Sequence, residues 1–158
     1  MSRGKFMLRM ELRSNPEVLC VVRSALARLA ELLGFSDSDS HLVILAVDEA
    51  LTNIIRHAYK GQRERCIEVT FRLLQVAPKS VPQKALEIVL LDDGVPVDPK
   101  RLRPRPLQEL PIDELKPGGL GLHFIRKNMD KVEFRRRDGR NLLRLIKVLP
   151  LAEPYQVS

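Results

Sequence analysis

The sequence predicts an α+β protein built as a two-layer sandwich, with helices covering one face of a β-sheet. Several segments alternate apolar and polar residues, and two long helical stretches lie between the first and second of these strands. The order of elements is β-α-α-β-β-loop-α-β-β, and helices on one face are the economical packing for that order. With 158 residues, 44% of them hydrophobic, we expect one domain over residues 1–150 and a short tail over 151–158.

The first strand and the two long helices are predicted from periodicity and helix-end signals. Residues 6–12 alternate as a strand, and Asn15-Pro16 then starts a helix that Gly34 closes. Residues 36–40 are a polar joint rich in capping side chains, and a second helix is predicted over 41–59.

Four more strands and a third helix are predicted in the rest of the chain. The strands span 66–76, 86–91, 132–134 and 142–148, and the helix spans 120–129. The strand at 86–91 is almost wholly apolar, which favours a central position in the sheet. Asp138-Gly139 is a strong hairpin signal between the last two strands.

Composition excludes some classes of function and leaves others open. The net charge of +7 suits an anionic ligand or partner, but aromatic residues make up only 4%, which argues against stacking on single-stranded nucleic acid. Cys20 and Cys66 lack zinc-ligand spacing and are interpreted as buried small hydrophobes in a reducing compartment. Residues 1–14 carry charges every few positions and no long apolar run, so we expect neither a signal peptide nor a membrane span there and a cytoplasmic protein.

Candidate polar site residues share one side of the second helix. Glu49, Asn53 and His57 are spaced by four, and each such step advances only about 40° around an α-helix. In the functional interpretation Asn53 supplies an oxygen to Mg²⁺, and Glu49, one turn away, acts as a base. The alternative is an ordinary solvated polar face.

An acidic residue and a glycine follow the apolar central strand. Ligands of such sheets gather beyond strand ends, where Asp92 could accept a hydrogen bond from an adenine amino group. Gly94 would let the backbone approach the base closely. An ordinary Asp-Gly turn is the alternative.

A glycine-rich run opens the third helix. Gly118, Gly119 and Gly121 allow unusual backbone angles, and free N–H groups at a helix start attract phosphate. The run, which includes Leu120 and Leu122, is not a Walker A loop, and a flexible hinge is the alternative. Five arginines near the C-terminus are either a solvated sheet edge or a docking surface for an acidic partner: Arg135, Arg136, Arg137, Arg140 and Arg144.

Taken in order, these motifs resemble the three nucleotide-binding boxes of the GHKL ATPase superfamily. The residue sequence of these motifs is similar to that of the anti-sigma-factor serine/threonine-protein kinases of the RsbW and SpoIIAB type, and the resemblance covers nearly the whole chain. The residues that carry the resemblance are Ala46-Val-Asp-Glu-Ala-Leu-Thr-Asn53 with His57-Ala-Tyr59, Asp92-Asp-Gly-Val-Pro96-Val-Asp98-Pro99, Gly118-Gly-Leu-Gly-Leu122 with Met129-Asp130, and Asn141-Leu-Leu-Arg-Leu-Ile-Lys147.

The resemblance implies the Bergerat fold, with a mixed β-sheet and helices on one face, and Mg-ATP as the ligand. It implies that Glu49 is the general base, that Asn53 is the magnesium ligand, and that Asp92 and Gly94 contact adenine. The glycine-rich turn at 118–122 would bind phosphate, and residues 96–117 would form the ATP lid. Val97 stands where the family often has Phe, and the lid is rich in proline.

The resemblance also implies partners. Members of that family phosphorylate a serine on a STAS-domain antagonist and sequester a sigma factor, usually as homodimers. For this chain we expect no direct nucleic-acid partner and no membrane partner. The leading hypothesis is therefore a protein-serine kinase, and the alternative is a non-catalytic partner-switching module that regulates by protein binding only. Because a pure binder has no need of a base, the presence of Glu49 favours the kinase.

Overall fold

The fold was analysed in a computed structural model, which describes residues 4–103 and 120–151. Five strands are present in these ranges: β1 (Lys5–Arg13), β2 (Cys66–Val76), β3 (Gln83–Asp92), β4 (Lys131–Arg137) and β5 (Arg140–Val148). The α-helices are α1 (Leu19–Leu32), α2 (Asp37–Asn53), the short α3 (Pro99–Leu102) and α4 (Gly121–Asn128). A 3₁₀ turn at Pro16–Val18 leads into α1, a second lies at Pro78–Ser80, and α2 continues as a π-helix at Ile54–Ala58.

The strands form one sheet in the order β1-β2-β3-β5-β4, with β3 in the centre as predicted. All four pairings are antiparallel, so the expectation of a mixed sheet is wrong in this detail. The physical reason is that β5 lies between β3 and β4. Strand β4 runs in the same direction as β3, and because β5 separates them they do not form a parallel pair.

Strand alternation divides the sheet into an inner face that packs on the helices and an outer face. Inner residues of the three middle strands join α1, α2 and α4 in one buried core, which includes Phe71, Ile88, Leu145, Leu26 and Leu51. The two-layer α+β sandwich is therefore confirmed. Within the described ranges, no helix has both the length and the apolar character that crossing a bilayer requires.

Local signals in the sequence account for most element ends. The Asn15 side chain accepts a hydrogen bond from the Glu17 N–H at 3.1 Å, and Ser36 caps α2 through the Asp39 N–H at 3.1 Å. Because Ser36 acts as the cap, α2 begins at Asp37, earlier than predicted. Asp138 and Gly139 both have positive φ, 53° and 76°, which confirms the tight hairpin between β4 and β5.

Two smaller expectations are wrong. Cys20 and Cys66 are both exposed rather than buried. The periodicity of the first helix also predicts an apolar stripe of Val18, Val22, Ala25, Leu29, Leu32 and Leu33. In the structure α1 instead buries Leu19, Val22, Leu26 and Ala30, and Leu32 is exposed. Both errors arise because neighbouring residues near the ends of a helix or strand look alike in the sequence, although only some of them face the core.

Candidate nucleotide-binding site

The start of α4 packs directly against the Glu49 carboxylate of α2. A Cβ atom built on Gly121 would lie 1.8 Å from Glu49 Oε1 and 2.5 Å from its Cδ, far inside van der Waals contact. Only glycine fits here without displacing the carboxylate. The structure thus brings together two residues that the sequence assigned to different motifs, at the positive end of the α4 helix dipole.

Asn53 ends α2 one turn after Glu49 and carries a buried oxygen with unused bonding capacity. Among the described residues, its Oδ1 is buried and has no hydrogen-bond partner. Buried polar atoms without partners are uncommon in folded proteins and often mark a ligand or ion position. A carboxamide oxygen is a hard donor of the kind that Mg²⁺ prefers, so this atom fits the expected metal.

His57 is not placed by an ordinary α-helical step. Residues 54–58 form a π-helix, in which the Tyr59 N–H bonds to the Ile54 carbonyl at 2.9 Å across five residues. The predicted rotation of about 40° per four residues therefore applies from Glu49 to Asn53 but not from Asn53 to His57. His57 Nε2 lies 3.4 Å from Nη2 of Arg101 in α3. Burial is the main cause of a lowered pKa at His57, followed by the charges of Arg101 and Arg56.

Asp92 is buried at the end of β3 within a polar network. Its Oδ1 accepts hydrogen bonds from the Gly94 N–H at 2.9 Å and from Asn141 Nδ2 at 2.8 Å. Burial raises the pKa of Asp92, while the bonds from Asn141 and Gly94 act in the opposite direction. Asn141 also donates to the Val95 carbonyl at 3.0 Å, and Arg136 donates to Asn141 Oδ1 at 2.6 Å and to the Gly94 carbonyl at 3.1 Å.

The turn after Asp92 is seated on the end of the π-helix. A Cβ on Gly94 would lie 2.5 Å from the Ala58 carbonyl oxygen, and the Val95 N–H donates to that same oxygen at 3.0 Å. Close approach of backbone to backbone is the physical reason for glycine at this position. The helix that carries Glu49 and Asn53 is thereby connected to the turn that carries Asp92.

Tyr59 reinforces this connection. Its buried hydroxyl accepts from the Asp93 N–H at 3.2 Å and lies within hydrogen-bond distance of the Cys66 carbonyl and of Asp93 Oδ1. Arg65 stacks over the ring, 4.8 Å from its centroid, and pairs with Asp93 at 2.9 Å. Burial raises the pKa of Tyr59, and the hydrogen bond from Tyr59 is the main cause of a lowered pKa at Asp93.

Some predicted site residues lie outside the described ranges. Gly118, Gly119 and residues 104–117 of the predicted lid are among them, whereas Leu120, Gly121 and Leu122 are described at the start of α4. The beginning of the predicted lid contains α3, and the Leu102 carbonyl at its end accepts a hydrogen bond from Arg126 of α4.

The C-terminal arginines do not form one cluster, because strand alternation sends them to different faces. Arg136 points towards Asn141 and Gly94 beside the site, whereas Arg140 and Arg144 form ion pairs with Glu68 and Glu87 on the outer face. Sequence reasoning thus missed Arg136 and Asn141 as members of the Asp92 network. The one available signal was the polar residue Asn141 directly before the predicted strand at 142–148.

A comparison with protein families identifies the class of protein that has this fold and site. Residues 12–147 match the family described as the histidine kinase-like ATPase domain, and the chain belongs to that family. Similarity to solved structures agrees with this assignment. The SiaB–SiaC complex from Pseudomonas aeruginosa aligns with a TM-score of 0.55 over 94% of this chain and 93% of that chain, at 16% identity.

A second solved structure contains the RsbU and RsbW domains of Rv1364c from Mycobacterium tuberculosis. It aligns with a TM-score of 0.55 over 92% of this chain, at 12% identity, and this chain spans only 34% of its length. At such identities both structures support the fold alone.

Curated relatives narrow the family to the serine-protein kinases named RsbW. The chain is 32% identical over 137 residues to serine-protein kinase RsbW of Bacillus pumilus (strain SAFR-032), covering 84% of this chain and 80% of that protein. It is 30% identical over 140 residues to the protein of the same name from Bacillus cereus (strain AH820), covering 86% and 81%. The resemblance to this kinase family is therefore confirmed.

Proposed function

We propose that this chain is an ATP-dependent serine protein kinase that acts as an anti-sigma regulatory factor. Its substrate would be a serine on a STAS-domain antagonist, and its other partner would be a sigma factor that it sequesters. The observation that carries the proposal is that Gly121 of α4 lies against Glu49, on the side of α2 that also carries Asn53. The turn that follows Asp92 is connected to the end of the same helix through Gly94 and the Ala58 carbonyl. Relatives named serine-protein kinase support it.

The proposed division of roles follows from the surroundings of each residue. Asp92 would accept a hydrogen bond from the amino group of adenine, and Gly94 would let the base approach the backbone closely. Asn53 would hold Mg²⁺ through its buried Oδ1, and the start of α4 would bind phosphate. Bound Mg-ATP would supply the transferable phosphoryl group together with neutralisation of its charge.

Glu49 would orient the serine hydroxyl and accept its proton. The residue is partly exposed, as access by an incoming side chain requires, and its carboxylate lies against Gly121 at the α4 N-terminus. Catalysis of this kind depends mainly on positioning and on charge stabilisation. A neighbouring acid offers a matched control, because Asp48 pairs with Arg23 of α1 at 3.0 Å instead of contacting Gly121.

The decisive experiment separates nucleotide binding from phosphoryl transfer. ATP affinity would be measured by calorimetry, and transfer by labelled phosphate moving from ATP to a purified STAS-domain protein from the same genome. Glu49→Gln keeps shape and nearly the volume, so ATP affinity should change little while transfer falls roughly 10²- to 10⁴-fold. Asp48→Asn should leave both unchanged, and Asn53→Ala should reduce both.

Each contrary outcome has a defined meaning. If the wild-type protein binds ATP and its partners but transfers no phosphate, the kinase proposal is wrong and the non-catalytic partner-switching alternative stands. If Glu49→Gln transfers phosphate at the wild-type rate, a kinase remains but its base is another group. If millimolar ATP neither produces heat nor raises the melting temperature, the nucleotide site itself is refuted.

A further inference from the structure

The two oxygens of the Asp92 carboxylate have different surroundings. Oδ1 accepts both protein hydrogen bonds, one from the Gly94 N–H and one from Asn141 Nδ2. Among the described residues, Oδ2 accepts none. The carboxylate is therefore held in one rotation with a single oxygen left for a donor from outside the protein.

Arg136 determines which end of the Asn141 side chain faces Asp92. A carboxamide has a donor end and an acceptor end, and a guanidinium has only donors. Because Arg136 Nη1 lies 2.6 Å from Asn141 Oδ1, the oxygen end of the amide is committed to Arg136. The nitrogen end then donates to Asp92 and to the Val95 carbonyl.

The same guanidinium nitrogen also reaches the turn. Arg136 Nη1 donates to the Gly94 carbonyl at 3.1 Å, and the Gly94 N–H donates to Asp92. Arg136 is thus connected to Asp92 by two short routes, through an amide and through the backbone. Strand β4 places it beside the site, whereas the preceding Arg135 lies on the outer face near Glu133.

We propose that Arg136, acting through Asn141, is a positioning residue that selects a purine with an amino group at its six position. An oxygen held as an acceptor matches the N6 amino group of adenine, whereas the six-position oxygen of hypoxanthine would meet it acceptor to acceptor. This inference rests on the proposed nucleotide site and adds to it the residues that enforce base choice.

The test compares ADP with inosine diphosphate, which differs from it at the six position. Affinities of both nucleotides would be measured by calorimetry for the wild-type protein, Asn141→Leu, Arg136→Gln and Arg136→Lys. Asn141→Leu should weaken ADP binding roughly 10- to 100-fold and change inosine diphosphate binding little, because it removes the bond that orients the acceptor. Arg136→Gln should reduce the ADP preference about 3- to 10-fold, and Arg136→Lys should restore part of it.

Arg135→Gln is the matched control, since it removes the same charge from the neighbouring residue, whose side chain is 71% exposed. It should leave both affinities unchanged. Because Arg136 is exposed, its variants should fold even if Asn141→Leu does not. A wild-type protein that binds neither nucleotide would overturn the proposed site as well. If the wild-type protein prefers ADP and the Arg136 variants keep that preference, or lose both nucleotides equally, only the positioning role is overturned.

Discussion

Strand β3 carries two buried carboxylates, Asp92 at 4% exposure and Glu87 at 5%, and their partners differ in kind. Glu87 faces the outer side of the sheet, where each of its oxygens bonds to a guanidinium, Oε1 to Arg144 and Oε2 to Arg72. Asp92 faces the helices, and its direct partners are a backbone N–H and a carboxamide, both on one oxygen.

This difference separates a structural acid from a candidate ligand-binding acid. A buried carboxylate with two cationic partners has its charge and its lone pairs satisfied within the fold. A buried carboxylate with neutral donors on a single oxygen retains an acceptor for something else. Burial alone does not distinguish the two, and the occupancy of each oxygen does.

Replacing the open acceptor should produce the largest effect. In Asp92→Asn the oxygen would stay with the two protein donors, and the new NH₂ group would face the base. ADP affinity should fall at least about 100-fold, and the preference should move towards inosine diphosphate, as calorimetry with both nucleotides can show. Asp93→Asn, which changes the neighbouring acid that pairs with Arg65, should bind ADP far better than Asp92→Asn does. If Asp92→Asn binds ADP as tightly as the wild-type protein does, Asp92 is not the acid that binds the base.

Replacing the saturated acid should instead affect stability. Glu87→Gln removes a counter-charge from Arg72 and Arg144, but Arg144 keeps Glu133 at 2.7 Å, and Arg72 is 44% exposed and can be solvated again. We expect the free energy of unfolding to fall by about 1–3 kcal/mol, less than for a fully buried pair. Urea unfolding measures this loss, and ADP affinity should stay at the wild-type value. A loss of ADP affinity as large as that of Asp92→Asn would show that the two acids are not separate in role.

Most of the fold could be predicted because its signals are local. Period-two alternation identified β1 and β2, an apolar run identified β3, Asn15 identified the start of the first helix, and Asp138-Gly139 identified the hairpin. The antiparallel order could not be derived, since it depends on β5 lying between β3 and β4. Nothing in the local pattern of a strand states which neighbour it will have.

The candidate site was predicted in part for the same reason. Glu49 and Asn53 share a helix face, so their spacing was sufficient to place them together. Gly121 was predicted as part of a phosphate-binding turn, but a Cβ built on it would meet the Glu49 side chain, a contact between distant parts of the chain. The pairing of Asp92 with Asn141 depends on the β3–β5 register, which the sequence does not specify.

The arginine run shows how alternation limits sequence reading. Arg135, Arg136 and Arg137 are consecutive and look equivalent, yet Arg136 alone of the three contacts the Asp92 network among the described residues. Likewise, the π-helix at 54–58 changes the facing of His57, and no composition signal marks where an α-helix widens.

The smallest predicted effect concerns the acid response of the outer face. Hydrogen bonds from Arg144 and then Lys131 lower the pKa of Glu133 to about 2, from an ordinary value of 4.5. A lowered folded-state pKa means that these bonds stabilise the protein above about pH 4.5 and that this contribution is lost as the pH falls from there towards 2. Asp92 has the opposite sign, because its raised pKa makes its ionisation unfavourable to folding and its protonation in acid favourable.

Urea unfolding of the wild-type protein and Glu133→Gln at several pH values tests this assignment. The Glu133 side chain is 22% exposed, so solvent screening should limit the difference between the two proteins to about 1 kcal/mol at neutral pH. That difference should shrink as the pH falls below about 4.5, because protonated Glu133 no longer differs in charge from glutamine. Asp138→Asn is the control, because it changes an acid whose side chain is 86% exposed, and it should leave the free energy of unfolding at neutral pH close to the wild-type value. If the difference in the free energy of unfolding between the wild-type protein and Glu133→Gln instead grows as the pH falls, Glu133 is not the acid whose protonation destabilises the fold.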